Sequence, residues 1–326
     1  MIFFGTKKSG SSRDAIIKAI VSFVDPYCAL AAKLSNEYNL SNFSFTAMEK
    51  MQNKLLCREV LKDSKYNPQY KVLNEDNYRD YKDIKNMLPV VIKYIESNGS
   101  KDVYFCDNMD SYRQYVNHLF KQYKNCIVLV EEFLDGQQYI VEAINNHIII
   151  EAIIEQEIKF INDHFIITGY SLGIDYPEKF LTKLKITVND ILQLHNFENG
   201  PCHLEMRYVE GEWKLVEINP RISGAGMNQF LEIGLGYSLV EEHLKLSLNL
   251  SPNFKPRHEI NTFAEYVILG SDGVKYVYIK PKKGTFLTTP ISLGNRYAFV
   301  IATGDSKDKA RTNAKIAASK IKFHLM

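Results

Sequence analysis

His203-Leu-Glu-Met-Arg…Lys214-Leu-Val-Glu-Ile-Asn-Pro-Arg-Ile-Ser-Gly-Ala-Gly226 decides how this chain is read. Apolar and polar residues alternate along both halves, and a period of two is the signature of a strand. The turn Glu210-Gly211 joins the halves, and a short glycine-containing link between such runs makes a hairpin. Glu205 and Glu217 then face each other across adjacent strands. Asn219 lies two residues beyond Glu217 and projects from the same face. Two carboxylates and an amide oxygen are hard oxygen ligands, the kind Mg²⁺ takes alongside phosphate oxygens. Arg221 follows as a planar, permanent cation suited to phosphate. Acids alternating with Leu204, Leu215, Val216 and Ile218 would by themselves also describe the solvated face of an ordinary sheet. Arg221, the Ser-Gly-Ala-Gly turn and matching pieces upstream favour a metal–triphosphate site.

At 326 residues, with 45% apolar and 24% charged residues and a net charge of +2, the chain has the balance of a globular protein with more than one core. The charge is too small to argue for nucleic acid. No segment reaches the roughly 20 uninterrupted apolar residues of a membrane helix, and the start lacks the long apolar core of a secretory signal. The five cysteines (28, 57, 106, 126 and 202) are scattered, so they read as buried free thiols of a reducing, cytoplasmic compartment.

The front, residues 1–45, shows a short strand from Ile2, a Gly/Ser loop, a helix from near Arg13, a strand over Ala19 to Val24 and a helix opened by Asp25-Pro26. Helical spacing follows over 46–62, then a polar, loop-rich stretch from Lys65 to Asp83. Leu88 to Lys93 and Val103 to Cys106 read as strands of a hairpin, Met109 to Gln122 as a helix and Ile127 to Leu134 as a buried strand. Two more strands span Tyr139 to Phe160, with a turn at Asn145-Asn146. Helices are expected over Leu181 to Leu194 and Met227 to Leu248, three strands in the tail, and a final helix from Lys307 with Ala310, Ala314, Ala317 and Ile321 inward. The class is α+β with hairpins, not a run of βαβ units.

Lys93 ends its strand beside the loop Ser97-Asn-Gly-Ser-Lys101, where glycine and serine let backbone N–H groups approach phosphate oxygens. Glu131-Glu132-Phe133-Leu134 leaves a strand into Asp135-Gly136, an exit that can offer backbone groups to an adenine edge. Taken singly, these are a strand-end lysine, a hairpin turn and an edge strand.

In this order the pieces resemble the ATP-grasp superfamily of carboxylate–amine and carboxylate–thiol ligases, from about Ala47 to Leu250. The resemblance implies an ATP-grasp fold of two α+β subdomains over 46–126 and 127–251. A shortened Rossmann-like segment over 1–45 would precede them and a small C-terminal α+β subdomain over 252–326 would follow. By the same resemblance, Lys54 and Lys93 hold the α- and β-phosphates of ATP, and the loop with Ser97, Gly99 and Ser100 covers them. Glu131, Glu132, Phe133 and Leu134 read adenine, with Gln138 in the ribose region where relatives carry an acid. Glu205, Glu217 and Asn219 hold Mg²⁺, for which Mn²⁺ can substitute. Arg221, with Lys93, is catalytic and stabilises the phosphoryl group in flight. Gly224 and Gly226 let the backbone approach the acceptor.

The sequence departs from the family where Tyr94 follows the lysine in place of proline, and where Asp102 replaces glycine at the end of the phosphate loop. The Gly-Pro-Cys-His-Leu-Glu approach, the Asn-Pro-Arg-Ile-Ser-Gly-Ala-Gly exit and the C-terminal region most resemble amino-acid ligases of the natural-product type. The resemblance implies small-molecule carboxylate and amine substrates and a homodimer. A ligase loading an amino acid on a carrier-protein thiol is the nearer alternative, and a non-catalytic nucleotide-binding protein the further one.

Overall fold

The computed structural model describes residues 2–7, 16–25, 27–40, 44–97, 99, 101–145, 149–161, 164–173, 175–224, 226–265, 274–280 and 296–321. At the front, β1 (Ile2–Lys7) and β2 (Ile16–Ser22) pair antiparallel, and α1 (Tyr27–Glu37) follows. The helix expected near Arg13 falls partly outside the described residues, and where described, from Ile16, the chain is already β2.

Helical spacing over 46–62 resolves into α2 (Phe45–Gln52) and α3 (Lys54–Val60). The break is Asn53, extended at φ −90° and ψ 113°, whose side chain accepts from the Leu56 N–H. An N-cap asparagine restarts a helix more readily than it continues one. This break puts Lys54 in the first turn of α3.

A four-stranded antiparallel sheet comes next, built from β3 (Tyr70–Leu73), β4 (Val90–Tyr94), β5 (Val103–Cys106) and β6 (Val128–Glu132) in the order β3-β6-β4-β5. The short α4 (Ile84–Met87) leads into β4, and α5 (Met109–Gln122) packs on the sheet through Tyr112, Val116 and Leu119. β3 lies inside the stretch read as loop. Its four residues are too few for alternation to show among polar neighbours, and pairing with β6 forms it.

The second sheet has eight strands in the order β11-β10-β7-β8-β9-β12-β14-β13. They are β7 (Gln137–Asn145), β8 (Ile149–Ile161), β9 (His164–Gly173), β10 (Gly200–Val209), β11 (Glu212–Asn219), β12 (Thr262–Glu265), β13 (Val274–Ile279) and β14 (Ala298–Thr303). The tail therefore extends the same sheet. β9 is a central strand, flanked by β8 and β12.

Both faces of the sheet are covered, which is why apolar residues of β7 point both ways. Val141 and Ala143 enter the core beneath α6 (Glu178–Leu194), with Leu184, Val188 and Ile191. Ile140 and Ile144 enter the opposite core, with Phe230 and Leu231 of α7 (Met227–Leu235) and Leu239 of α8 (Leu239–Ser247). The single helix expected over 227–248 is divided by Gly236, left-handed at φ 79°, and by the Ser238 cap, which accepts from the Glu241 N–H. α9 (Lys307–Ala318) buries Ala310, Ala314 and Ala317 as expected, while Ile321 lies beyond its end and is half-buried. All five cysteines are buried thiols outside any disulfide. Among the described residues no helix is long and apolar enough to cross a membrane.

Candidate active site

The β10–β11 hairpin turns at Glu210 (φ 50°) and Gly211 (φ 84°), two left-handed residues that suit a tight antiparallel turn. Val209 pairs with Glu212, Arg207 with Lys214 and Met206 with Leu215. Continued without interruption, that ladder would set Glu205 against Val216. A bulge between Glu205 and Met206 moves the register by one, and Glu205 pairs with Glu217 and His203 with Asn219. Asn219 Nδ2 donates to Glu217 Oε1 at 3.2 Å.

The bulge has a partner. Arg58 of α3, 3% exposed, donates from Nη2 to the Val216 carbonyl at 2.6 Å and from Nη1 to the Leu215 carbonyl at 3.1 Å. Its Nε reaches Glu131 Oε1 on β6 at 2.6 Å, and Lys93 Nζ on β4 reaches the other Glu131 oxygen at 2.6 Å. Burial opposes ionisation of Glu131, but these two cations outweigh it and hold the carboxyl at about 2. Glu131 thus orients Lys93 from inside the sheet.

Glu205 is half-buried. Burial disfavours its charge, while His203 favours it strongly enough that its carboxyl lies below the usual range. Gln138 Nε2 donates to Glu205 Oε2 at 3.1 Å, and Gln138 Oε1 accepts from Arg207 Nε at 3.0 Å. His203 Nδ1 lies 2.6 Å from Glu142 Oε1. Burial opposes the imidazolium, but the Glu142 carboxylate lifts His203 to about 9. Glu142 Oε2 also accepts from the Ser223 N–H at 3.2 Å. Glu142 is therefore committed to the turn after Arg221 and is not the missing acid of the ribose region.

One pocket gathers several of these groups, although Arg58, Glu142, His203 and Asn219 are not in its lining. It is lined by Lys54, Lys93, Ser97, Gly99, Glu131 to Leu134, Gln138, Glu205 and Glu217, with Val91, Val103, Ile158, Phe165, Ile167, Arg207 and Val216. One end is polar and cationic. The other is aromatic: the rings of Phe133 and Phe165 lie nearly parallel, 5.7 Å apart, with the Arg207 guanidinium 5.0 Å from Phe133. Arg207 also donates to the Leu134 carbonyl at 2.5 Å. The Glu132 N–H is bonded to the Gln69 carbonyl and the Phe133 N–H to the Pro89 carbonyl, so neither amide can serve a base edge without breaking a sheet contact.

The loop beside Lys93 is anchored at both ends. Lys54 Nζ donates to the Ser97 carbonyl at 2.7 Å, and Ser97 Oγ donates to the Tyr94 carbonyl at 2.8 Å. Asp102 adopts φ 54°, which explains how it stands where relatives carry glycine, because aspartate tolerates the left-handed region better than most residues. Its carboxylate accepts from Tyr123 Oη at 2.7 Å, and Tyr123 stacks on Tyr94 at 4.1 Å. Gly99 is left-handed at φ 66°, while Ser100 lies outside the described residues.

A family model described as the ATP-grasp domain matches residues 86–229, and one described as L-amino acid ligase C-terminal domain 2 matches residues 268–326. The chain carries an ATP-grasp domain. The described fold is similar to that of an L-amino acid ligase from Bacillus licheniformis, with a TM-score of 0.77 and 18% identity over 93% of this chain and 79% of that one. An N5-carboxyaminoimidazole synthase from Aspergillus clavatus, solved with ADP and an aminoimidazole ribonucleotide, superposes with a TM-score of 0.71 and 13% identity over 93% of this chain and 81% of that one. An uncharacterized protein, y4rH, of Sinorhizobium fredii is 23% identical over 95% of this chain and 68% of its own. At these identities the structural likenesses establish an ATP-grasp fold.

Within the ATP-grasp domain, Lys93, the Glu131 exit, Glu205, Glu217 and Asn219 all fall in the matched stretch. Lys54 precedes it, and α3 carries Lys54 to the same pocket. Arg221 stands apart from the pocket lining and pairs with Asp25. Gly226 takes φ 83° as the cap of α7, and a Cβ there would lie 2.4 Å from Phe299, so backbone conformation and local packing already call for glycine. Gly224 faces open space. Sequence reasoning passed over Arg58, Arg207, Phe165 and Asp25. Arg207 was legible, because it sits two residues after Glu205 on one strand face. Arg58 carried a weaker signal, a charge four residues after Lys54 on the same helical face.

Proposed function

We propose that this protein is an ATP-dependent ligase that activates the carboxylate of an amino acid as an acyl phosphate and transfers it to an amine, releasing ADP and phosphate. The observation that carries the reading is the pairing of Glu205 with Glu217 on the wall of the pocket that also holds Lys54 and Lys93. The match to an L-amino acid ligase C-terminal domain supports an amino acid as substrate.

The donor set fits a hard cation. Two carboxylates and the Asn219 amide come from adjoining positions of one hairpin, Glu205 and Glu217 half-buried at the pocket wall. Bound by these residues, Mg²⁺, or Mn²⁺ in its place, supplies positive charge to phosphate oxygens. Lys54 and Lys93 hold the α- and β-phosphates, and Lys93 is aimed by Glu131. Adenine lies at the aromatic end between apolar side chains, with Arg207 and Gln138 toward the ribose. A carboxylate oxygen of the substrate attacks the γ-phosphorus while the bond to the β,γ-bridging oxygen breaks, and ADP leaves with that electron pair. Arg221 neutralises the phosphoryl oxygens. The amine then forms a bond to the acyl carbon, inorganic phosphate departs, and the amine proton passes to solvent.

The test is ATP turnover with Mg²⁺ across single amino acids, pairs of amino acids and thiol acceptors, with wild type beside Glu217→Gln. Phosphate release that requires an amino acid, rises with a second amine and vanishes in the variant is the expected result. Nucleotide binding with no turnover on any acid would sink the ligase reading.

A further inference from the structure

Arg221 already has an anionic partner. Its Nε and Nη2 both reach Asp25 Oδ2, at 2.7 and 2.5 Å. Asp25 comes from the corner between β2 and α1, 196 residues away in the chain. Its second oxygen, Oδ1, accepts from Gln52 Nε2 of α2 at 3.4 Å. Asp25 also lines a groove of about 720 Å³ that is distinct from the nucleotide pocket. Lys33, Glu49 and Gln52 stand along that groove, and Asn219 and Glu217 belong to its wall. Lys54 and Glu217 line both spaces, so the groove meets the pocket at the end where the triphosphate is placed.

We infer that Asp25 is a specificity-determining residue that binds the α-ammonium of the amino-acid substrate while Arg221 takes its carboxylate. The inference rests on the ligase reading for the identity of the attacking group. Its physical basis is an exchange of ion pairs. A zwitterion brings a carboxylate that replaces Asp25 on the Arg221 guanidinium. It also brings the ammonium that compensates Asp25 once Arg221 is taken from it. The site's net charge is the same before and after, and no charge is left without a partner.

A simple carboxylic acid can make only the first half of this exchange. It would leave Asp25, with a side chain only 28% exposed, beside an added negative charge. An amine can make only the second half and would leave Arg221 unpaired. The adjacency of the two side chains matches the adjacency of the two charges in an α-amino acid. Because Asp25 belongs to the front segment, that segment supplies part of substrate recognition while the sheet supplies the phosphate chemistry.

The experiment is calorimetric titration of the full chain, saturated with Mg²⁺ and ADP, with a panel of amino acids and with the des-amino acid of each. Wild type is expected to favour an amino acid over its des-amino acid by roughly 10- to 100-fold, the range of a charge-assisted hydrogen bond. Asp25→Asn is expected to reduce that preference to within roughly threefold while ADP still binds. A wild type that binds both forms equally, or an Asp25→Asn that keeps the preference, overturns the inference. Should Asp25→Asn lose ADP binding, Asp25→Glu carries the test: its carboxylate is moved by one methylene, so an undiminished preference overturns the inference. If no amino acid binds, the inference fails, and the ligase reading is then decided by turnover on other acids. Amino-acid selectivity that depends on Asp25, without ATP turnover, would overturn the ligase reading and support the role of Asp25.

Discussion

Glu205 stands opposite Glu217 because a bulge at Val216 moves the β10–β11 ladder by one residue. Arg58 donates to the bulged Val216 carbonyl from Nη2 and to Glu131 from Nε. One buried arginine therefore ties the strand of the proposed metal ligands to the glutamate that pairs with Lys93.

Replacing Arg58 by methionine should act on stability and on the site together. Glu131 would keep only Lys93, and the Leu215 and Val216 carbonyls would lose their donor. The expected loss is about 3–5 kcal/mol, the cost of breaking a buried ion pair on one side, read as a fall in the urea midpoint. In the protein that remains folded, Mg²⁺-dependent ADP affinity should also fall. A variant that is destabilised but binds Mg²⁺ and ADP normally would show that Arg58 does not position Glu217.

Glu217→Gln should leave the fold unchanged, since Glu217 is half-buried and an amide oxygen can still accept from Asn219 Nδ2. Its effect should appear in the metal dependence. ADP affinity in Mg²⁺ is expected to drop by at least roughly 10- to 100-fold, the scale of losing even a supporting partner of a metal ligand. ADP affinity in chelator should hardly change. Equal losses with and without Mg²⁺ would remove Glu217 from the metal set.

The acid limb of stability should report Glu131. Its folded value of about 2 lies below the ordinary 4.5, so ionised Glu131 stabilises the fold fully above pH 4.5. That contribution, on the order of 3 kcal/mol, is lost as the pH falls from 4.5 toward 2. Urea midpoints measured across this range should fall for wild type and fall less steeply for Glu131→Gln, which starts lower because Arg58 and Lys93 are left uncompensated. Parallel curves would contradict the assignment.

Gly226→Ala tests the turn after Arg221. Alanine would meet Phe299 at 2.4 Å and would hold φ 83°, a left-handed value that a Cβ resists. A loss of about 2–4 kcal/mol is expected from strain and overpacking together, measured by thermal or urea unfolding. Gly224→Ala, with nothing within 4 Å, serves as the control and should change little.

Much of the site was legible because its residues lie on strands with a strict period of two. Alternation around Glu205 and Glu217, with Asn219 two places on, marks one face whatever the rest of the fold does. The α5 boundaries, Met109–Gln122, and the hairpin of β4 and β5 were readable for the same reason: local signals and final structure agree. β3 and β9 were not, since pairing with β6 and with β8 and β12 forms them from residues of mixed character. The breaks at Asn53 and Gly236 also escaped, because apolar spacing runs across both and only the cap geometry interrupts it.

By itself the sequence determined the residue types of the proposed cation–phosphate site, their order, and the strand face that presents them. Tertiary structure decided whether those residues meet. A regular hairpin would have set Glu205 against Val216, and only the bulge held by Arg58, more than 150 residues distant, brings the two carboxylates into register. Likewise only folding sets Asp25 on Arg221. The physical reason is one of range: side-chain periodicity is written in neighbouring residues, whereas ladder register and ion pairing are settled by groups that the chain brings together from far apart.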